Sequence, residues 1–370
     1  MSKLAFLYLS AFSTHGGIEK FNRALMYALG NVNSAVSFFS LYDKKEAVQD
    51  RYVSKSKFQF LEVSMTYLRL FLMGLRLLFS EKQSLIFGHI NFAPFALLLK
   101  RIRPQHQLIL MAHGIDVWQE LSPSKRTFLE KADEIWAVSN YTKKRLLELE
   151  SSWKKKIKIF PNTLDPFFPK LAPAEKADFL KERYHLQGEE KVILTLCRLS
   201  AAEGYKGYDR VVEALALLKN QDCKYLMAGK YDEEERLRIL RLAETRGVAE
   251  RIVFCGFLEE EEIQAHFQLA DLFVMPSTNE GFGIVFIEAL ACGTPVIAGN
   301  QDGSVDALCN GELGELVNPN QVDEIASAID RLLDQRELKS FEAQTERIQK
   351  VHAKFGFPLF QDRLKEFLKL

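Results

Sequence analysis

Short runs of β-branched and aromatic residues alternate with longer stretches of helical periodicity along the chain. This alternation is typical of parallel sheets whose strands are joined by crossover helices. In the first half it predicts strands at residues 4–9, 35–41, 84–88, 107–112, 134–138 and 156–160. It predicts helices at residues 18–29, 59–79, 92–101, 123–131 and 141–149. We therefore expect residues 1–165 to form a doubly wound, Rossmann-like domain.

A proline-containing stretch with little hydrophobic periodicity, residues 166–190, is expected to be a linker. The alternation then restarts, with strands predicted at residues 192–197, 224–228, 252–255, 272–275 and 295–298 and helices at 207–218, 233–246, 259–269, 282–291 and 322–333. This predicts a second Rossmann-like domain at residues 191–340. Residues 341–370 should form C-terminal helices, the last crossing back to the first domain. Ligands of doubly wound sheets bind at the carboxyl ends of the strands, so we expect a binding cleft between the domains.

The composition, with 47% hydrophobic and 26% charged residues, excludes collagenous, disordered and disulfide-scaffold proteins. The 49 basic and 49 acidic side chains cancel, which argues against a nucleic-acid-binding protein. Residues 1–170 nevertheless hold 25 Lys and Arg against 14 Asp and Glu, a net charge of +11, and residues 171–370 hold the compensating −11. Either the basic half faces an anionic surface, or the two domains have simply diverged in charge.

Five scattered cysteines form no CxxC pattern, which is typical of a reduced, cytoplasmic enzyme. We expect neither a signal peptide, since residues 4–9 fit a buried strand better, nor a membrane-spanning segment. The apolar stretch at residues 67–79 is interrupted by Arg69, Gly74 and Arg76. It fits either a buried crossover helix with the arginines at its edge or a helix lying on a membrane surface.

Two carboxylates, Glu280 and Glu288, flank the glycine-containing start of a predicted helix. Backbone N–H groups at helix N-termini attract anions and hydroxyl-rich ligands. Glu280 is then placed to bond sugar hydroxyls, and Glu288 to reach a ribose. The alternative is a tight turn at Gly281 and Gly283 with solvated carboxylates at the helix end.

The run from Glu280 to Glu288, followed by ALACGTPVIA at residues 289–298, resembles the donor-site signature of retaining glycosyltransferase family 4. Members of that family have the GT-B fold, in which two Rossmann-like domains face each other across a cleft. The resemblance extends over nearly the whole chain. It implies that Glu280 acts on the transferred sugar and that the donor is bound by Gly281, Phe282, Gly283, Ile284 and Glu288.

In the first domain, Gly16 and Gly17 resemble the family's glycine loop, which lies against the donor diphosphate. Glycines after a first strand do let backbone N–H groups approach phosphate, although a simple turn fits them as well. His113 resembles the histidine that bonds a hydroxyl of the transferred sugar; by itself, a histidine at a strand end is more often structural. Asn162 lies where the family has an Asn-Gly-Val-Asp turn, and Thr163 replaces the usual glycine.

Arg198 and Lys206 resemble the pair that clamps the nucleotide diphosphate. A planar guanidinium and a point charge neutralise such a leaving group without a metal ion. Cys197 stands where the family usually has a glycine before that arginine. Taken alone, Lys206 would more often be a solvated loop lysine.

Gly256, Phe257 and Leu258 resemble the segment that binds the nucleotide base through backbone groups, and we expect UDP to be the favoured nucleotide. Phe257 by itself fits a core position better than a stacking platform. The resemblance implies transfer of a hexose, with UDP-glucose or UDP-galactose as first candidates, to an acceptor hydroxyl with retention of configuration. No cofactor or metal is expected besides the nucleotide-sugar donor.

The acceptor generally binds the first domain in this fold, and the basic charge there suits a glycan or lipid-linked saccharide at an anionic membrane surface. We therefore expect a role in polysaccharide biosynthesis at the inner face of the membrane. No motif places a covalent nucleophile, so a front-face reaction is expected, in which the leaving diphosphate accepts the proton of the acceptor. The alternatives are a non-catalytic nucleotide-sugar sensor and a nucleotide-sugar epimerase on the same fold.

Overall fold

The chain divides into two units, each built around one parallel β-sheet. The computed structural model describes residues 3–33, 36–53, 57–58, 66–169, 172–173 and 176–369. The first unit spans Met1–Phe168 together with Phe355–Leu370, and the second spans Pro169–Lys354. Both are doubly wound α/β domains, as the sequence predicts.

The described strands of the first unit are β1 Leu4–Tyr8, β2 Val36–Ser40, β3 Lys57–Phe58, β4 Ser84–Phe87, β5 Gln107–Ala112, β6 Glu134–Ala137 and β7 Ile157–Ile159. They form one parallel sheet in the order β3-β2-β1-β4-β5-β6-β7. Every residue of β1 is buried, as expected for a strand covered by helices on both faces. The sequence does not predict β3, because two residues at a sheet edge are too short to produce a pattern. Residue 35 of the predicted second strand lies outside the described residues.

The helices of this unit are α1 Gly17–Val32, α2 Asp50–Val53, α3 Thr66–Leu78, α4 Ala93–Ile102, α5 Ile115–Trp118, α6 Pro123–Lys131 and α7 Asn140–Leu149, with 3-10 helices at Lys45–Ala47, Ile90–Phe92 and Ser151–Lys155. Residues 59–65 of the helix predicted at 59–79 lie outside the described residues. Arg69 of α3 is buried and donates to the carbonyls of Leu41 and Asp43 at 3.1 and 2.8 Å, so it does not lie at the helix edge. No helix in the described part of the chain combines the length and hydropathy that a bilayer-spanning segment requires.

The described strands of the second unit are β8 Lys191–Leu196, β9 Cys223–Ala228, β10 Ile252–Gly256, β11 Leu272–Met275, β12 Val296–Gly299 and β13 Glu315–Val317. They are all parallel and follow the order β10-β9-β8-β11-β12-β13. The chain runs outward in one direction from β8 and in the other from β11. The carboxyl ends of these two strands therefore mark the switch point at which such sheets bind ligands. β13, three residues long, was not predicted.

The helices of the second unit are α8 Asp178–Arg183, α9 Tyr208–Leu215, α10 Glu233–Thr245, α11 Glu260–Leu269, α12 Ile284–Ala291, α13 Ser304–Ala307, α14 Val322–Asp334 and α15 Phe341–Phe355, with 3-10 helices at Ala201–Lys206, Ala249–Arg251, Cys309–Gly311 and Arg336–Lys339. α8 falls within the stretch expected to be a linker. It packs against α11 of the second unit, and its Leu180 side chain is fully buried.

The last helix, α16 Phe357–Leu368, belongs to the first unit. Its Phe360 ring packs against Phe21 of α1 and Phe160, with centroid distances of 5.9 and 4.7 Å. Thr163 and Leu164 fix the start of this segment, since the Thr163 hydroxyl and the Leu164 N–H both donate to the Phe355 carbonyl, at 2.9 and 3.0 Å.

Candidate functional site

Lys206 and Glu280 form an ion pair at the switch point of the second sheet. Lys206 ends the 3-10 helix that follows β8, and Glu280 lies in the loop that follows β11. The two side chains are only 15% and 13% exposed, so neither is a solvated loop charge. The structure thus brings together two residues that the sequence assigns to phosphate and sugar binding.

Backbone contacts fix the position of Lys206. The adjacent Gly207 has a φ of +78°, and a Cβ there would lie 2.4 Å from the carbonyl oxygen of Pro276. No other residue type fits such a close approach without displacing one of the two loops. The Thr278 N–H also donates to the Tyr205 carbonyl at 2.9 Å. The loops after β8 and β11 are therefore joined directly beside the ion pair.

Asp302, after β12, fixes the position of Glu280. Its fully buried carboxylate accepts hydrogen bonds from the Ser277 hydroxyl and the Glu280 N–H, each at 2.7 Å, and from the Ser304 N–H at 2.9 Å. The Gly303 N–H returns a bond to the Glu280 carbonyl at 2.9 Å. Burial raises the pKa of Asp302 to about 6, although these hydrogen bonds favour its ionised form. No sequence motif points to Asp302, whose one signal is its place in a polar run directly after a predicted strand.

Burial and the ion pair together set the protonation states of the side chains at this edge of the sheet. Burial alone would lower the pKa of Lys206, but the facing Glu280 carboxylate outweighs it and holds that pKa above its ordinary range. Burial raises the pKa of Cys197 and of Tyr205 to about 12, so both stay protonated at neutral pH. The Lys206 ammonium also lies 5.1 Å from the centroid of the Tyr205 ring. Lys206 is thus a permanent cation in a largely buried setting, where a charge acts strongly on an anionic ligand.

Arg198 follows β8 at the same edge of the sheet, but its contacts differ from those of Lys206. Its side chain is 60% exposed and pairs with Glu203 at 3.1 Å. The loop around it is tightly fixed, because a Cβ at Gly229, whose φ is +130°, would lie 1.8 Å from the carbonyl oxygen of Cys197. The exposed guanidinium is available to a ligand once it leaves Glu203.

The glycine motif forms the start of α12. Gly283 has a φ of +86° at the N-cap position, where a Cβ would lie 2.4 Å from the ring of Phe286. The side chains of Phe282, Ile284 and Glu288 are buried, so Glu288 is not a solvated helix-end charge either. Gly281 lies against the next loop, since a Cβ on Gly303 would lie 2.2 Å from its carbonyl oxygen.

The segment at the end of β10 combines a bend with an exposed ring. Gly256, with a φ of +73°, ends the strand after a register shift, and its carbonyl accepts from the Gly229 N–H at 2.7 Å. Leu258 is buried. Phe257 is 39% exposed, with the Lys230 ammonium 5.0 Å from its ring centroid, so it is not a core residue.

The remaining predicted site residues belong to the first unit. Gly16 and Gly17 are exposed at the N-terminus of α1. Asp43 orders the loop that leads to them: its fully buried carboxylate accepts from the N–H groups of Ala11, Phe12 and Ser13 at 2.9 to 3.0 Å. It also accepts from the hydroxyls of Ser10 and Ser40, at 2.7 and 2.8 Å. No motif pointed to Asp43, since its partners come from two separate segments.

His113 lies at the carboxyl end of β5, where its Nε2 is 2.9 Å from the Gly88 carbonyl oxygen. A carbonyl only accepts, so this contact places the ring proton on Nε2 and leaves Nδ1 as an acceptor. Burial, reinforced by the neighbouring His89, lowers the pKa of His113 to about 3, and the ring stays neutral. It packs edge-on against Phe21 at 5.1 Å. Such a ring is suited to accept a hydrogen bond from a hydroxyl.

Asn162 is buried, and its Oδ1 has no hydrogen-bond partner among the described residues. Thr163, which replaces the glycine of the family's turn, donates instead to the carbonyl of Phe355 in the same unit. The turn therefore has a structural role through Thr163.

The chain contains two doubly wound α/β units, each with glycines in loops at an edge of its sheet, and solved structures share this arrangement. The structure of HepE from Anabaena in complex with UDP and glucose matches 100% of this chain and 100% of its own, with a TM-score of 0.80 at 18% identity. The chain thus has the GT-B fold. A family model described as Glycosyltransferase Family 4 matches residues 15–167, and one described as Glycosyl transferases group 1 matches residues 176–350. The chain belongs to this glycosyltransferase family.

Two curated relatives indicate the kind of chemistry found in the family. A GDP-mannose-dependent α-(1-6)-phosphatidylinositol monomannoside mannosyltransferase of Mycolicibacterium smegmatis is 34% identical over 257 residues, which is 65% of this chain and 65% of the relative. The serotype-specific mannosyltransferase WbdA of Escherichia coli is 29% identical over 232 residues, 60% of this chain and 28% of that protein. The match thus spans just under two thirds of the first relative's length.

Proposed function

We propose that this protein transfers a hexose from a nucleoside diphosphate sugar to a glycan or lipid-linked acceptor in the synthesis of a cell-surface polysaccharide. The observation that carries the proposal is the largely buried ion pair of Lys206 and Glu280 at the switch point of the second sheet. An ammonium ion and a carboxylate side by side match the two parts of such a donor, since the diphosphate needs a cation and the sugar hydroxyls need an acceptor.

In this proposal Lys206 leaves Glu280 when the donor binds and neutralises charge on the diphosphate. Arg198 leaves Glu203 in the same way, and its planar guanidinium group then donates hydrogen bonds to the diphosphate beside Lys206. Glu280, then without its ammonium partner, accepts hydrogen bonds from sugar hydroxyls. Once the donor is bound, the two cations stabilise the leaving diphosphate as its bond to the sugar breaks, and they make a metal ion unnecessary.

The proposed reaction retains the anomeric configuration. The acceptor hydroxyl forms its bond to the anomeric carbon on the face that the diphosphate leaves, and the departing phosphate oxygen takes the hydroxyl proton. His113 supports the position of the sugar through Nδ1, the ring atom that its bond to Gly88 leaves as an acceptor. Gly16 and Gly17 stay proposed contacts of the diphosphate, on the resemblance alone.

For the nucleotide base, two observations point in different directions. The sequence resemblance favours UDP, whereas the mycobacterial relative at 34% identity is named as GDP-mannose-dependent. We place GDP-mannose first, because that relative shares more sequence with this chain than the UDP-bound HepE structure does. UDP-glucose and UDP-galactose are the second candidates. The exposed Phe257 ring is the proposed contact of the base.

The acceptor is proposed to be lipid-linked, because α3 presents an apolar face beside basic residues. Tyr67, Phe71 and Phe79 are 84%, 60% and 86% exposed, although α3 buries its other face. Exposed Arg76 and Arg101 add positive charge on α3 and α4, in a half of the chain with a net charge of +11. Aromatic side chains beside arginines suit the interface of an anionic membrane. We propose peripheral binding at the inner face of the membrane.

Sedimentation with vesicles tests the membrane contact. Wild-type protein should sediment with vesicles containing anionic lipid and much less with neutral ones. The double variant Tyr67→Ser/Phe71→Ser should lose most of this binding, whereas Phe341→Ser, which removes an aromatic side chain 63% exposed in the second unit, should not. Equal sedimentation of all three proteins would contradict the proposed surface.

Release of the nucleotide tests the proposed activity. Wild-type protein is incubated with GDP-mannose, UDP-glucose or UDP-galactose and a lipid-linked saccharide, and the nucleoside diphosphate is measured. We expect release from one donor, a loss of at least about 100-fold in Lys206→Met, and no change in Lys219→Met, which alters an exposed lysine. Tight nucleotide binding without transfer or slow hydrolysis of any donor would indicate a sensor instead, and conversion of the donor to its epimer would indicate an epimerase.

A further inference from the structure

A cavity of about 470 Å³ lies in the second unit at the edge of the sheet opposite the ion pair of Lys206 and Glu280. Its walls include residues at the starts of β8, β11 and β12, among them Lys191, Asp271 and Pro295. Strands of a parallel sheet all begin at the same edge, so this cavity is separate from the candidate donor site at their carboxyl ends.

The cavity gathers more ammonium groups than its buried carboxylate can neutralise. Asp271 has no exposed side-chain surface, and its Oδ2 accepts from the Val192 N–H at 2.6 Å and from the Lys176 ammonium at 2.7 Å. Lys339 contacts Oδ1 of the same carboxylate. Lys191 is a further cation in the wall of the cavity.

The lysines repel one another. Burial, reinforced by the nearby Lys191, lowers the pKa of Lys176 to about 8. Burial, reinforced by Lys176 and Lys191, lowers the pKa of Lys339 to about 7. Glu189, at the exposed rim, opposes both shifts in part, and Lys181, which also lines the cavity, pairs with Asp178 at 2.9 Å. Glu190 also lines the cavity, and its carboxylate lies 4.0 Å from the ammonium of Lys224, which is outside it. Asp271 and Glu189 then remain to balance Lys176, Lys191 and Lys339, so the positive charge is only partly compensated.

We propose that this lysine cavity, lined by Lys176, Lys191, Lys339 and Asp271, binds a phosphate or diphosphate group. The ammonium groups supply converging donors, and a multivalent anion relieves the repulsion among them. The cavity volume admits one small phosphorylated molecule. The group can belong to free phosphate or pyrophosphate, or to a phosphorylated metabolite, and competition between inorganic phosphate and sugar phosphates distinguishes these sources.

Calorimetric titration of the full chain with pyrophosphate and with inorganic phosphate tests the proposal. The titrations use a Lys206→Met background, which weakens anion binding at the candidate donor site. We expect pyrophosphate to bind in this background and Lys191→Gln or Lys339→Gln to weaken it at least tenfold. Lys219→Gln, outside the cavity, should leave the affinity unchanged, and Lys191→Arg should restore most of it.

Absence of pyrophosphate and phosphate binding in the Lys206→Met background would overturn the proposal, and so would equal affinities in the Lys191→Gln and Lys219→Gln proteins. Circular dichroism checks that each variant is folded. If the Lys339→Gln protein is unfolded, the affinity of the Lys191→Gln protein alone tests the proposal. Displacement of pyrophosphate by glucose 1-phosphate or mannose 1-phosphate, at lower concentration than inorganic phosphate, would assign the site to a phosphorylated sugar. Displacement by inorganic phosphate at equal or lower concentration would assign it to the free anion.

Discussion

Lys206 and Glu280 are 74 residues apart in the sequence and form an ion pair with each other. They meet because β8 and β11 are neighbours in the sheet although two strands, β9 and β10, lie between them in the chain order. The pair keeps a cation at the edge of the sheet where the diphosphate is proposed to bind, and only a short movement of Lys206 away from Glu280 is then needed. Both residues were predicted as site residues, but their contact with each other depends on the strand order.

Variants that lack one or both partners of the ion pair distinguish its contribution to the free energy of unfolding from its role in turnover. Lys206→Met should lower the free energy of unfolding by about 2–4 kcal/mol, because Glu280 is left largely buried without its ammonium partner. The double variant Lys206→Met/Glu280→Gln should regain most of that stability and none of the turnover. Urea unfolding and nucleotide release measure the two effects. Recovery of turnover in the double variant would contradict a direct role of Lys206.

The backbone at Gly207 gives a second prediction. In Gly207→Ala, the new methyl group meets the Pro276 carbonyl at a distance that no Cβ tolerates, so the loop carrying Lys206 must move. We expect turnover to fall at least about tenfold. The matched control is Gly204→Ala in the same loop, where a Cβ would meet no described atom within 4 Å. Equal activities of the two variants would show that the close approach does not position Lys206.

Asp302 predicts a pH dependence of stability. Its pKa of about 6 in the folded protein lies above the ordinary value of 3.8, so the folded state binds a proton that the unfolded state has lost between these pH values. Asp302 therefore contributes fully to the free energy of unfolding below about pH 4. This contribution falls by roughly 1.4 kcal/mol per pH unit as the pH rises to about 6. Asp302→Asn cannot titrate, so its deficit in unfolding free energy relative to wild type should be larger at pH 4 than at pH 7. A deficit that is constant or grows with pH would contradict this assignment.

The hydrogen bonds that Asp43 accepts predict that its substitution disturbs the glycine loop of the first unit. Asp43→Asn replaces one acceptor oxygen by an amide that faces backbone N–H groups, so we expect a loss of at least about 2 kcal/mol in unfolding free energy. If the loop binds the donor, KM for the donor should rise more than kcat falls. Asp50→Asn, in an exposed position of the same unit, is the control. An unchanged KM in a folded, destabilised Asp43→Asn protein would restrict Asp43 to a structural role.

The sequence predicts most of the fold because parallel strands buried on both faces are continuous apolar runs. It misses β3 and β13, whose two and three residues are too short for any periodicity. The site is only partly predictable for a different reason. Glu280 and Lys206 belong to local motifs, whereas Asp302 and Asp43 act through loops that only the folded sheet brings to them. The exposure of Phe257 and the burial of Arg69 likewise depend on tertiary packing rather than on local sequence.

Transfer of the sugar with retained configuration is tested most directly by a proton NMR time course of wild-type protein with GDP-mannose, or with UDP-glucose or UDP-galactose, and a lipid-linked saccharide. We expect the anomeric signal of one donor to decay while a glycoside signal of the same anomeric configuration grows, and Lys206→Met to slow both at least about 100-fold. A donor signal that stays unchanged with every donor while the nucleotide binds, or a product of inverted configuration, would contradict it.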